Sequence, residues 1–425
     1  MGVDGASAAA VEAARRAGGG VRPLHEGYTF AALPATIERL LLGGSERDAG
    51  GLPAGAVVHA PDPVERVVLV LLDAFGWRFF ERHADEHPLL LRLLIDGTVA
   101  KLTTQFPSTT AAHITTLHTG RPVGEHGLYE WNLYDPGLDA LITPLLFSFA
   151  GDGTRDTLRD AGVDPHALFP GDPLYRRLAA RGVRCHAYQP ASFTPSTYDG
   201  VLLDGATIHP YDRLDVAFEA LARTLRAAEP GPVYAYLYID TLDACGHRDG
   251  PGSLAFHSET LRCLNAIHAG LRALPAGTVL LLAADHGQVD VVPSRTRFVN
   301  ELWPEITDHL RWDRRGRPAA PAGSARDLFL HAAPGEREVV IAGLADRLAE
   351  RATVHATADL VAEGLFGPAP GPRLLGRLGD VCVLPAPGET VWWRERGRFD
   401  MRFRGHHGGL TPAEAETFVG SVVVG

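Results

Sequence analysis

Asp73, Thr110, Asp243, His247, Asp285, His286 and His407 are spread over most of the chain, yet each stands beside an apolar run, a glycine or a short turn. Those are the places where a parallel sheet exposes its chemistry. Asp, His and Thr side chains in this number can hold two divalent cations around one hydroxyl nucleophile. That is the equipment of phosphoryl-transfer hydrolases.

Taken singly, each residue also has a plain structural reading. Asp73 closes the run VVLVLL and could cap a helix beginning near Trp77. Thr109 or Thr110 opens the helical pattern of FPSTTAAHITTLHTG, which ends at Gly120. Free amides and the dipole at such a helix start favour an incoming phosphate. Asp243 and His247, four apart in LDACGHRDG, face one side of a helical turn. Asp285 and His286 follow LLLAA, where two adjacent polar groups are costly unless ligated or hydrogen-bonded. Gly287 is expected to let the chain turn sharply there. His407, in HHGG, is the candidate ligand near the end of the sequence.

Several continuous apolar runs must position these residues. Val67–Leu72, Val183–Tyr188, Val233–Ile239 and Val279–Ala284 read as buried parallel strands. Helical patterns lie between them, at Arg213–Ala228 and Leu254–Leu274. The alternation predicts an α/β fold with a doubly wound, mostly parallel sheet flanked by helices. Texture changes between Val292 and Arg398, where Pro, Arg and Gly-rich turns interrupt short βα patterns. The expected organisation is a flexible N-terminal arm over 1–22, a catalytic core over 23–291 and 399–425, and an inserted cap subdomain over 292–398.

Length and composition bound the reading. The 425 residues suit one large α/β domain with insertions. A net charge of −11 argues against a nucleic-acid duplex as partner. None of the four cysteines forms a C-x-x-C pair, so buried thiols in a reducing compartment are expected, with Cys245 a spacer between two ligand candidates. The first residues lack the pattern of a signal peptide and no run is long enough to span a bilayer. A cytoplasmic protein with no membrane partner is the expectation, and nothing in the sequence speaks to oligomeric state.

In this order, with these neighbours, the motifs resemble the alkaline phosphatase superfamily, and within it the nucleotide pyrophosphatase/phosphodiesterase branch. The resemblance rests on VLLDAFG, on Thr119-Gly120 with Thr110 ten residues before the glycine, and on His126-Gly127 seven residues beyond it. It also rests on the D-x-x-G-H-type motif of Asp243 to His247, on Asp285-His286-Gly287 and on His407-Gly408. It implies a metal-dependent hydrolase of phosphodiester or pyrophosphate bonds in small, nucleotide-like phosphate esters, acting through a threonine-linked intermediate. One cation would take Asp243, His247 and His407; the other would take Asp73, Asp285, His286 and the Thr110 oxygen. Zn²⁺ is the first choice of metal, with Mn²⁺ or iron as alternatives.

The chain departs from the branch at one point. Its diesterases carry a phosphate-contacting Asn shortly after the H-G pair; a gapless count lands on Trp131, and Asn132 is next. Asn132 is therefore the expected phosphate ligand; Phe75, Tyr129 and Trp131 could stack a base, though such aromatics are more often core. No arginine stands where monoesterases of the superfamily grip phosphate, and the C-x-P-x-R motif of sulfatases is absent. A phosphonoacetate hydrolase-like enzyme, or a phosphomonoesterase or phosphomutase of the same superfamily, is the alternative.

Overall fold

The computed structural model describes residues 2–16, 18–44, 50–60 and 64–425. Its centre is an eight-stranded sheet. In spatial order the strands are Gly2–Val3, Thr98–Thr103, Glu416–Val423, Val279–Ala283, Arg66–Leu72, Val233–Ile239, Arg184–Pro190 and Ala206–Tyr211. All run parallel except Glu416–Val423, which inserts antiparallel between Thr98–Thr103 and Val279–Ala283. The central strands are apolar without alternation because both of their faces are covered. Val68, Val70 and Leu72 face one hydrophobic layer, while Val67, Leu69 and Leu71 face the other.

The helices expected from periodicity form at Leu214–Ala227 and Leu254–Ala273. Ser253 caps the second through the Phe256 amide. The helix that opens at Thr110 runs to Thr119 and stops at Gly120, which adopts φ 69°.

Two smaller sheets of three or more strands stand beside the main one, together with two two-stranded pairings. Leu133–Asp135, Ala140–Thr143 and Ser148–Phe149 form an antiparallel meander. Ala322–Ser324, Asp327–Leu330, Val381–Pro385 and Ala352–Ala356 form an antiparallel sheet in that spatial order, inside the segment expected to be a cap. A bridge between Asn132 and Gly323 joins the two.

The N-terminal segment departs from expectation. It is not a loose arm: Gly2–Val3 pairs with the edge of the main sheet and Gly5–Ala13 is helical. The side chain of Asp4 caps that helix, and its amide donates to the Val99 carbonyl at 2.7 Å. Arg15 then pairs with buried Glu416 at 2.7 Å. These local polar contacts, which composition does not reveal, hold the segment down. Among the described residues, no helix is long and apolar enough to cross a membrane.

Candidate active site

The seven expected residues converge at the C-terminal ends of the parallel strands. Asp73 follows Arg66–Leu72, and its amide bonds to the Ile239 carbonyl at 3.0 Å. Ala74, next in the chain, adopts φ 63°. That left-handed turn aims its amide at Asp285 Oδ1, 3.1 Å away. The His286 amide donates to the same oxygen at 3.0 Å. Asp285 Oδ2 is left buried with no hydrogen-bond partner among the described residues.

Thr110 is the first residue of its helix. Its Oγ1 lies 3.0 Å from His286 Nε2 and 3.4 and 3.5 Å from the two Asp73 oxygens. Thr109, at the helix boundary, makes no side-chain cap. The amides of the first turn are thereby left for an anion in the cavity above. Asp243 and His247 sit one turn apart on the helix Thr241–Asp249, with His247 Nε2 3.3 Å from Asp243 Oδ2. His407 Nε2 lies 3.8 Å from Asp243 Oδ1, and its ring stacks on His286 at 3.8 Å between centroids.

The three imidazoles are oriented alike. Their Nδ1 atoms face backbone carbonyls: His247 that of Gly405 at 2.8 Å, His286 that of Gly287 at 3.0 Å, and His407 that of Ser108 at 3.0 Å. Nδ1–H donation fixes the tautomer and leaves each Nε2 lone pair toward the site, as metal ligation requires. Donor atoms of Asp243, His286 and His407 fall within 4.8 Å of one another, as do those of Asp73, Asp285 and His286. His286 therefore stands at the junction of two groups able to hold a metal.

Electrostatics fit the same conclusion. Burial, with repulsion from Asp285 and Asp243, pushes the Asp73 carboxyl well above its ordinary range. Burial raises Asp285 as well. Burial lowers His286 to about 4, and burial with neighbouring His286 holds His407 well below its usual value. Burial thus favours neutral imidazoles at His286 and His407, and a cation beside Asp73 and Asp285 would favour their ionised form.

A pH dependence follows for protein stripped of metal. A carboxyl raised on folding contributes stability below its unfolded value of 3.8, and that contribution is lost as pH rises through the folded value. The lowered His286 and His407 oppose this between pH 5 and 7, where their unfolded forms take up protons. At pH 8, EDTA-treated protein should therefore melt earlier than zinc-loaded protein, saturating Zn²⁺ restoring about 4 kcal/mol at a thousandfold excess over Kd. Calorimetry at pH 8 with and without metal checks this. An EDTA-treated protein as stable at pH 8 as with metal contradicts it.

Glycines make the convergence possible, though not through a sharp turn at Gly287. That residue has no left-handed φ; a Cβ there would collide with the Ala413 carbonyl oxygen. A Cβ on Gly76 would come within 2.6 Å of the Gly287 backbone. The Asp73 and Asp285 loops thus touch main chain to main chain. Gly76→Ala should push them apart and weaken metal affinity about 10-fold or more, read by chelator competition. Unchanged affinity would show that the loops can shift freely.

Around the ligands lies a cavity of about 860 Å³, lined by Thr110, Trp131, Asn132, Tyr238, Arg398 and Phe403 among others. Asn132 is buried on its wall, and Thr143 donates to its amide oxygen at 2.8 Å. Trp131 is 45% exposed there. Phe75 and Tyr129 are not substrate contacts. Phe75 is fully buried against Phe418, and Tyr129 against Phe329 with its hydroxyl on the Arg377 carbonyl. Nearness to a motif in sequence does not say which way a ring points.

Three supporting residues were not anticipated. Tyr238 donates its hydroxyl to Asp73 Oδ2. Gln288 donates to Asp243, both to its carboxylate and to its carbonyl. His113 accepts from the Gln105 amide at 2.9 Å and faces the Thr109 carbonyl at 2.7 Å, bracing the helix start. Of these, Tyr238 carried a signal. Tyr234, Tyr236 and Tyr238 share one face of Val233–Ile239 by the two-residue period, and the last stands at the strand's functional end.

The fold has solved counterparts. An inactive variant of murine ectonucleotide pyrophosphatase/phosphodiesterase 5 in complex with AMP is similar at 15% identity, with TM-score 0.62 over 84% of this chain and 88% of that chain. The human ectonucleotide pyrophosphatase/phosphodiesterase 5 is similar at 15% identity, with TM-score 0.64 over 84% and 87%. At that identity the likeness is one of fold. No curated protein matches significantly by sequence. The family model for type I phosphodiesterase/nucleotide pyrophosphatase matches residues 67–410, a span that contains every residue of the site. The chain belongs to that family of hydrolases.

Proposed function

We propose that the protein hydrolyses phosphodiester or pyrophosphate bonds of small, nucleotide-like substrates with two divalent cations and Thr110 as nucleophile. The observation that carries this reading is the Thr110 hydroxyl, held between His286 Nε2 and the Asp73 carboxylate on the cavity wall. Asp243, His247 and His407 would hold one cation; Asp73, Asp285, His286 and the Thr110 oxygen would hold the other. The orphaned Asp285 Oδ2 and three inward-facing Nε2 atoms fit such ions, and the mixed Asp/His donors favour Zn²⁺ over Mg²⁺. When bound, the cations supply the positive charge that makes the threonine nucleophilic and neutralises the leaving oxygen.

The chain's own groups do the rest. Thr110 Oγ1 forms a bond to phosphorus as the bond to the leaving oxygen breaks in line, giving a threonine-linked phosphoryl ester. Water then takes the phosphoryl group and Thr110 regains its proton. First-turn amides and the Asn132 amide nitrogen would hold non-bridging oxygens. Trp131 is placed to stack a flat leaving group. The sheet of 322–385 lies within the expected cap and, through Ser324 and Ala325, contributes to the cavity wall, in keeping with a substrate-selecting role. Four free, buried cysteines are in keeping with a reducing compartment.

The test is turnover of bis-p-nitrophenyl phosphate against p-nitrophenyl phosphate by zinc-loaded protein, with an EDTA control. The reading expects diester preference abolished by EDTA. Preference for the monoester would replace it with a phosphatase.

A further inference from the structure

A second buried acidic pair stands at the cavity wall, which Glu130 helps to line, outside the ligand set above. Glu130 is 1% exposed and Asp327 is fully buried. One comes from the loop after His126-Gly127, the other from the strand Asp327–Leu330 of the inserted sheet. Each carboxylate has one oxygen anchored by a backbone amide: Trp131 N donates to Glu130 Oε2, and Ser324 N donates to Asp327 Oδ1 at 3.1 Å. The Ser324 hydroxyl also donates to Asp327 Oδ1. The other two oxygens, Glu130 Oε1 and Asp327 Oδ2, are buried with no hydrogen-bond partner among the described residues. Glu130 faces Asp327, Ser324 and the Thr109 hydroxyl.

The neighbouring arginines do not neutralise this pair. Arg326 is committed to Glu414 and to the carbonyls of Ala386 and Glu389. Arg377 is committed to Asp135 and to the carbonyls of Gly127 and Leu168. A single shared proton would still leave one buried negative charge without a counter-ion, an expensive state. Burial also drives Glu130 up to about 7 and Asp327 well above the carboxylate range, and a cation beside them would favour ionising both. The orphaned Asp285 oxygen shows the same signature within the histidine-containing clusters.

We propose that Glu130, Asp327, Ser324 and Thr109 form a further cation site, distinct from the histidine-containing clusters. Its donors are all oxygen, which selects a hard ion such as Mg²⁺ or Mn²⁺ over Zn²⁺. The ion would tie the residue preceding Thr110 to the inserted sheet. It would also hold the Glu130–Asn132 segment against the cavity.

The experiment adds Mn²⁺ to zinc-saturated protein and counts bound Mn²⁺ by electron paramagnetic resonance, with no reference to turnover. The wild type should bind about one equivalent, and Glu130→Gln should bind at least about 10-fold more weakly with zinc content unchanged. Asp327→Asn repeats the test if Glu130→Gln does not fold, with circular dichroism as the check. A wild type that binds no Mn²⁺ beyond the zinc sites overturns the proposal and leaves a proton-sharing carboxyl pair. Equal binding by wild type and a folded variant overturns it as well. Neither result touches the proposed diester hydrolysis, which the chromogenic substrates test separately.

Discussion

Thr110→Ala should lower turnover of a phosphodiester by about 10³-fold or more while metal content stays near that of the wild type. The alanine keeps the helix start and removes one oxygen, the atom that lies 3.0 Å from His286 Nε2. Three other donors would remain for that cation, and the Asp243 side of the site is untouched. Elemental analysis and steady-state kinetics on one preparation separate the two effects. Thr110→Ser, which keeps the hydroxyl, should retain most of the lost rate. If the alanine variant turns over normally with both metals present, water attacks directly and the covalent step is wrong. If it loses metal along with activity, Thr110 is principally a ligand.

Arg326→Met should cost about 3–5 kcal/mol of folding stability, the largest loss expected from a single change away from the ligands. Arg326 and Glu414 are fully buried and joined by two parallel bonds of 2.9 Å. Burial would raise the Glu414 carboxyl, but the guanidinium outweighs it and holds Glu414 below its ordinary range. The pair's contribution is therefore present above the unfolded pKa of Glu414 and fades as pH falls through the folded value. Glu414 also accepts from the Gly409 amide at 3.1 Å, two residues beyond His407, so the damage should reach the metal site. Adding Glu414→Gln removes the stranded charge. The double variant should be more stable in urea than Arg326→Met alone. A double variant at least as unstable as the sum of the singles would show that packing, not charge, dominates.

The residues that converge at the strand ends were legible in the sequence because parallel strands buried on both faces leave continuous apolar runs with polar residues at their ends. Val67–Leu72 before Asp73 and Val279–Ala284 before Asp285 are such cases, and the observed strands differ from them by a residue. Thr98–Thr103 and Ala206–Tyr211 left no such trace, since Lys101, His209 and Pro210 interrupt them. Lys101 is tolerated inside because it meets Glu416 of the neighbouring strand at 2.7 Å. The supporting layer was hidden for another reason. Gln288, the Ser108 carbonyl and the Glu130–Asp327 pair act through partners remote in sequence, and no local spacing encodes such a meeting. Phe75 and Tyr129 show the converse error, in which a correct motif was credited with side chains that turn into the core.

The one antiparallel strand sets a timetable for synthesis. Glu416–Val423 fills the slot between Thr98–Thr103 and Val279–Ala283, so the ribosome has made almost every other strand before the middle of the sheet can close. Until residue 423 emerges, two facing strand edges lie open and His407 has no fixed seat. The open edges of a nascent chain in that state invite pairing with other chains. The edges on both sides of that slot are thus exposed to aggregation until the one strand arrives.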